Sequence, residues 1–283
     1  MKKFKKLIPA LCMLLVSAVI LGSSTYAWFS MNNKVTATGM SVTAVANTQY
    51  LIIAQNTAGL TANDTKVEFL KDSNYGIEED NNSKKERGNT VYPAFYNAGE
   101  SAISVALSDN GTHSVAAKGW YTGFSPKFNA ATDNGKLSKV IDLVDKATPA
   151  ASETGLFDYV LKYDVVIGLA SGSKEASGII TVKPTFNVEA TDDTTANALV
   201  AVVFFNKGEA NEQILVIRQD DQASTTYETS SAIELTSTTH ATVTVYLYVD
   251  GSKDAINSDS FAKADAKAVK GSLALEFTMA GIA

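Results

Sequence analysis

The sequence predicts an all-β protein, a jelly-roll-like antiparallel β-sandwich with one or two short helices, preceded by an N-terminal signal helix. Two observations carry this prediction: a basic and then apolar leader over residues 1–27, and an alternation of apolar and polar residues with a period of two in several later segments. Residues 28–283 are expected to form a single domain with loop insertions, among them a charged loop over 71–90.

The leader combines a basic start, an apolar run over residues 7–21 and a small-residue exit at 24–27. This order is typical of a secretory signal peptide, and the apolar run is shorter than the roughly 20 residues of a membrane span. We therefore predict cleavage between Ala27 and Trp28 and a secreted, cell-surface protein that meets the membrane only through its leader. A retained anchor is the alternative, since the apolar character resumes at Trp28 and Phe29.

The composition of the remaining chain restricts its partners. The one cysteine, Cys12, leaves with the leader, so the mature chain has neither disulfide nor thiolate. Loss of the four leader lysines leaves 20 basic residues against 30 acidic ones, a net charge of about −10. Because phosphate binding needs clustered Lys and Arg, nucleic acid is excluded as a partner.

Four later segments alternate with the period of a half-buried strand. They are residues 159–169, 180–188, 241–249 and 273–279. Core side chains of these strands are expected to include Val245, Leu247, Leu275 and Phe277. Pro184 lacks an amide donor, so its strand is expected to lie at an edge or bulge.

Residues 199–205 are apolar on both faces, as in a strand covered on each side, and they are expected to form a hairpin with 214–217. Residues 35–46 and 50–54 are predicted to form a second strand pair.

Helical spacing of apolar residues predicts one short helix between 135 and 149. The segment 261–270 is either a second helical turn or a connection.

Motifs for catalysis are missing from the sequence. It holds only His113 and His240, and it contains no HExxH, GxSxG or P-loop pattern, so no catalytic residue and no cofactor are predicted. Asp250, Asp254 and Asp259 place oxygen donors close together, as Ca²⁺ requires, but without the spacing of an EF-hand loop. A turn at Asp250 is the simpler interpretation, so these residues are only weak metal candidates.

The leader junction adds a specific resemblance. The run Thr25-Tyr26-Ala27-Trp28-Phe29-Ser30 resembles the TxAxFS junction of exported Firmicutes proteins of the TasA and camelysin-like biofilm matrix family. The resemblance implies processing by a signal peptidase of the endoplasmic-reticulum type. It also implies a jelly-roll subunit that self-associates into extracellular fibres, with its mature N-terminal segment entering the sheet of the next subunit.

The residues of that N-terminal segment suit a donated strand. Residues 35–46 are Thr-rich and uncharged, with Val35 at the start and Met40, Val42 and Ala44 sharing one face. Strand addition needs such alternate side chains beside the main-chain pairing. An ordinary first strand of the same chain is the alternative.

Three functions therefore compete. The leading hypothesis is a structural, fibre-forming matrix protein without catalytic activity. The alternative is a secreted glycan- or surface-binding module that uses exposed aromatic residues, and a secreted hydrolase is the third. The aromatic candidates are Trp120, Tyr121, Phe124, Tyr246 and Tyr248.

Overall fold

The computed structural model describes residues 41–46, 51–62, 66–69, 92–106, 112–123, 140–146, 149–150, 152–170, 175–189, 198–219, 226–252 and 270–279. This part of the chain is mostly β-strand, with two short 3-10 helices at Thr57–Ala62 and Leu156–Asp158. None of its helices has the length and hydropathy needed to cross a membrane. The predicted leader, its cleavage site and the charged loop 71–90 lie outside the described residues, as does nearly all of 261–270.

The strands, in chain order, are β1 Ser41–Ala46, β2 Leu51–Ala54, β3 Lys66–Phe69, β4 Phe95–Asn97, β5 Ile103–Ala106, β6 Thr112–Val115, β7 Gly119–Thr122, β8 Ile141–Val144, β9 Thr154–Gly155, β10 Leu161–Leu169, β11 Ala176–Gly178, β12 Ile180–Glu189, β13 Leu199–Phe205, β14 Gln213–Arg218, β15 Tyr227–Glu228, β16 Ile233–Leu235, β17 Ala241–Val249 and β18 Lys270–Met279.

Two five-stranded sheets form a sandwich. Sheet A has the order β15-β12-β18-β1-β3, and sheet B has the order β14-β13-β17-β10-β2. Alternate side chains of the two sheets share one apolar core, in which the Phe205 ring of sheet B meets the Phe277 ring of sheet A edge-on at 6.1 Å between centroids. The all-β, sandwich-like prediction is therefore confirmed.

A further sheet covers the outer face of sheet B. Sheet C, in the order β4-β7-β8-β9, contributes Tyr96, Trp120 and Leu143 to a second apolar cluster with Phe204 and Tyr246 of sheet B. Sheet B is thus buried on both faces, and every residue of β13 is buried as predicted. The hairpin β5–β6 lies beyond sheet C and packs Val105 against Phe95 and Tyr121.

The predicted core residues Val245, Leu247, Leu275 and Phe277 are all buried, at no more than 1 % exposure. β17 lies in sheet B and β18 in sheet A, so the two strands face each other across the core. The predicted hairpin of 199–205 with 214–217 is confirmed as β13 and β14.

Pro184 lies at an edge, as predicted. β12 pairs along its length with β18, but on its other side β15 pairs only with Thr181 and Val182. Within the described residues, the missing amide of Pro184 therefore interrupts no ladder on that side.

The helix predicted between 135 and 149 is wrong where the structure describes that segment, because Ile141–Val144 is β8. Leu143 packs beneath sheet C against the second cluster, whereas Val140 packs with Phe95 and Tyr121 on the opposite face. Apolar residues three positions apart fit one face of a helix, but they also fit a strand that is buried on both faces. Pairing with the neighbouring strand β7 stabilises the strand.

The strand pair predicted from 35–46 and 50–54 is also wrong. β1 pairs with β18 and β3 in sheet A, whereas β2 pairs with β10 in sheet B. The two strands therefore belong to different sheets, and each has a neighbour that is distant in sequence.

Candidate functional site

The predicted assembly strand fills an interior position of sheet A. Val42 and Ala44 belong to β1, whereas Val35 and Met40 lie outside the described residues. β1 runs parallel to β18, from Ser41 opposite Ser272 to Ala46 opposite Phe277, and antiparallel to β3. We call the space that β1 occupies the β18–β3 slot.

The parallel direction of β1 sets it apart. All other described pairings of sheets A and B are antiparallel. A tight hairpin can join only antiparallel strands, so the pairing of β1 with β18 unites distant parts of the chain. The site is therefore a strand position that is filled by long-range pairing.

A hydrogen-bonded cluster of charged and polar side chains lies where sheets B and C meet. Lys207 follows β13, Asp145 follows β8, and Tyr246 lies in β17. Lys207 Nζ donates hydrogen bonds to Asp145 Oδ2 and to the Tyr246 hydroxyl, which itself donates to Asp145 Oδ2. The ammonium also lies over the rings of Tyr246 and Phe204, at 4.8 and 5.4 Å from their centroids. We call Lys207, Asp145 and Tyr246 the Lys207 cluster.

The turn after β13 holds Lys207 in place. Asn206 has a left-handed backbone with φ 50°, and its side-chain Oδ1 accepts a 3.1 Å hydrogen bond from the Thr242 amide. Gly208 has φ 83°, a conformation that a glycine adopts without strain, and its amide donates to Glu212 at 2.8 Å. Glu212 in turn forms a 2.7 Å ion pair with Lys118, next to β7.

The electrostatics of the Lys207 cluster favour an ionised Asp145 and a protonated Tyr246. Burial would raise the pKa of Asp145, but hydrogen bonds from Lys207 and Tyr246, with the charges of Lys207 and Lys162, outweigh it and lower that pKa. Burial, and then the Asp145 carboxylate, raise the pKa of Tyr246 well above its usual value. Near neutral pH the Asp145 carboxylate is therefore charged and the Tyr246 hydroxyl keeps its proton, and the cluster acts as an ion-pair lock between layers.

Sequence reasoning missed this cluster. Lys207 and Asp145 are 62 residues apart, and Tyr246 lies 101 residues from Asp145, so their meeting is a property of the layer packing. The one local signal is a lysine in a turn directly after seven apolar residues.

The candidate metal residue Asp250 has another role. It is fully buried, and its Oδ2 accepts from Arg218 while its Oδ1 accepts from the amide of Ser252 at 2.9 Å and from the Ser252 hydroxyl. Asp254 and Asp259 lie outside the described residues. No group of three or more His, Cys, Asp or Glu side chains suited to a metal occurs in the part of the chain that the structure describes.

Close packing at the turn after Asp250 accounts for the glycine at position 251. A Cβ atom on Gly251 would lie 2.9 Å from Pro93 Cβ, because the Gly251 amide donates to the Ala94 carbonyl at 2.8 Å. The Asp250-Gly251 pair is thus a closely packed corner of the fold.

The aromatic candidates for ligand binding are packing residues wherever they are described. Trp120, Tyr121, Tyr246 and Tyr248 are at most 8 % exposed, and Phe124 lies outside the described residues. The Trp120 ring contacts the rings of Tyr246 and Tyr248 at 5.3 and 5.1 Å between centroids. These buried rings offer no open platform to a glycan.

The two histidines lie in different settings. His113 belongs to β6 in the outer hairpin, and His240 directly precedes β17.

Comparison with known proteins gives no relative. No protein-family model, curated protein or solved structure matches this chain.

Proposed function

We propose that the mature chain is a secreted, non-catalytic structural protein of the cell surface or biofilm matrix. Its subunits, of jelly-roll-like type, assemble into fibres by exchange of the N-terminal strand after a signal peptidase removes the leader. In the fibre, β1 of one subunit fills the β18–β3 slot of the next. The observation that carries the proposal is the parallel, interior position of β1.

Strand exchange keeps every backbone hydrogen bond of that position. The pairings of β1 with β18 and β3 are the same whether β1 comes from the same chain or from a neighbour. An empty slot, in contrast, leaves unpaired donors and acceptors on both β18 and β3. Effective concentration and the geometry of the hinge therefore decide between the closed and the exchanged form.

The short connection favours exchange. β1 ends at Ala46 in sheet A and β2 begins at Leu51 in sheet B. Short hinges between exchangeable elements invite domain swapping.

The order of synthesis favours it as well. Ser41 and its partner Ser272 are separated by most of the chain, so β1 leaves the export machinery long before its own β18. Closing such a long loop has a large entropic cost and is slow. Slots of already folded neighbours are accessible during that interval.

A cysteine pair tests the source of β1. Thr43 lies opposite Ala274, and the mature chain contains no cysteine of its own. In a Thr43→Cys/Ala274→Cys variant of residues 28–283, oxidation after assembly links whichever strands are neighbours, since Cα atoms of strand partners lie within disulfide range. We expect a covalent ladder on a non-reducing denaturing gel.

The matched control is Thr185→Cys/Ala274→Cys, in which the thiol introduced in β18 lies opposite β12 of its own subunit. This variant is expected to migrate as a single chain. If the Thr43→Cys/Ala274→Cys variant does the same, β1 is the subunit's own first strand and fibre formation by exchange is rejected. Electron microscopy of the untagged mature protein then completes the test, because the proposal requires fibres.

A further inference from the structure

β14 ends sheet B with an apolar edge. Among the described residues it has a strand neighbour, β13, on one side only. The sequence of this strand, QILVIR, is uncharged up to its last residue, and Ile214, Leu215 and Val216 are each only partly buried.

The hydrogen-bond pattern shows which backbone groups lie along this edge. The Gln219 amide donates to the Leu199 carbonyl at 3.2 Å, so residues 199 and 219 form a hydrogen-bonded pair of the β13–β14 ladder. Such pairs alternate with pairs that do not bond to each other. Leu215 and Ile217 therefore bond to β13, whereas Ile214 and Val216 direct their N–H and C=O groups away from it.

The other edges of sheets A and B carry protection that residues 214–216 of β14 lack, although Gln213 at the start of β14 is covered by hydrogen bonds with Ser230 and Ser231. β12 carries Lys183 and Pro184 where β15 no longer covers it, and β3 carries Lys66 and Glu68. The residues of β2 are all buried, next to the short helix at Thr57–Ala62. Charges, proline and coverage are the usual means of preventing edge-to-edge pairing.

Charge identifies the occupant as a second copy of the same strand. Glu212 directly precedes β14 and Arg218 ends it. Antiparallel pairing of two β14 strands centred on Leu215 places Arg218 of each copy opposite Glu212 of the other. Both side chains are partly exposed, at 20 % for Glu212 and 32 % for Arg218, and they already pair with Lys118 and Asp250 within the chain. The contact would thus join two ion pairs into one network, whereas parallel pairing would oppose like charges.

We propose that β14 pairs antiparallel with β14 of a second copy, about a twofold axis at Leu215. This contact joins two B sheets into one sheet of ten strands. Leu215 meets its own copy as a non-hydrogen-bonded pair, and Ile214 meets Val216. The contact is isologous and does not depend on strand exchange; in a fibre it would connect two fibres side by side.

A single cysteine at the twofold axis tests the contact. In a Leu215→Cys variant of the mature chain, oxidation is expected to give a covalent dimer and nothing larger, because each chain then has one thiol. Side chains of a non-hydrogen-bonded pair approach closely enough for a disulfide. The control is Thr185→Cys. Thr185 is exposed to solvent, and its edge of β12 is protected against strand pairing by Lys183 and Pro184. Equal dimer yields from the two variants would reject the proposal.

A charge on the edge provides the second test. Val216→Lys places an ammonium on the β14 edge, and Thr185→Lys places one on β12. Sedimentation velocity is expected to show a concentration-dependent dimer for the wild type and Thr185→Lys but a monomer for Val216→Lys, with far-UV circular dichroism confirming that all three are folded. If the chain forms fibres, Val216→Lys fibres are expected to be single where wild-type fibres are paired. A dimer that persists in Val216→Lys contradicts the proposal, and neither outcome alters the test of strand exchange.

Discussion

At the scale of single residues, the Lys207 cluster shows how a partly buried charge is tolerated. Asp145, Lys207 and Tyr246 satisfy one another, and the aromatic faces of Tyr246 and Phe204 surround the ammonium. Removal of one partner leaves another partly buried without its counterpart, which destabilises the fold. We therefore expect a substitution of any one of these three residues to lower the free energy of unfolding.

The lowered pKa of Asp145 predicts how stability depends on pH. The carboxyl titrates below its ordinary value of 3.8 when folded, so its stabilising contribution is present above that value and is lost as the pH falls through the folded pKa. We expect the stability of the wild type against urea to fall as the pH is lowered through and below 3.8. The Asp145→Asn variant should start less stable at pH 7 and lose less over the same range. A parallel decline of the two proteins would show that other carboxylates dominate.

The core predicts a second set of single-residue effects. Leu247 and Phe277 are completely buried and belong to opposite sheets. Leu247→Ala and Phe277→Ala should each lower the free energy of unfolding by about 2 to 5 kcal/mol. Thr242→Ala, at an exposed position of the same strand as Leu247, serves as control and should change it by less than about 0.5 kcal/mol. Chemical denaturation measures all three.

At the scale of elements, the success of sequence reasoning depended on how many faces a strand buries. β17 and β18 each contain an alternating stretch that identifies them, and β13 is apolar throughout because it is covered on both faces. The prediction for β8 failed because Val140 and Leu143 lie on opposite faces of sheet C. Their spacing of three residues also fits one face of a helix. The partners of β1 and β2 are distant in sequence, and no local pattern encodes them.

The N-terminal strand gives the prediction at this scale. A chain that begins at residue 47 should leave the β18–β3 slot empty, form no fibres, assemble no further than a β14 dimer, and bind an apolar dye. A synthetic peptide of residues 28–46 should restore stability when added in trans, because main-chain pairing supplies the affinity. Size-exclusion chromatography and thermal unfolding with and without the peptide measure the effect.

A scrambled peptide of the same composition is the control for this experiment. It should not raise the unfolding temperature. If the truncated chain is as stable as the mature protein, β1 contributes no essential pairing and the slot has no role in assembly.

At the scale of the whole molecule, the sequence predicted a sandwich and the structure adds layers to it. Sheet C and the hairpin β5–β6 stack on the outer face of sheet B, and aromatic contacts such as Tyr96 with Phe204, at 5.5 Å between centroids, connect the layers. The strands of sheet C have two to four residues each, too few for a period to be recognised. Their aromatic residues were therefore assigned to a possible ligand surface instead of to an interlayer contact.

The same layering has a consequence for how safely the chain can fold. β13 contributes LVAVVFF, seven apolar residues without charge or proline, which is the composition of segments that form amyloid. Sheet A shields one face of this strand and sheet C the other, so any molecule whose outer layer has not yet docked presents half of that segment to its neighbours. Docking of sheet C thus protects β13 from aggregation. The turn directly after β13 carries Lys207, and the ion pair of Lys207 with Asp145 holds sheet C against sheet B.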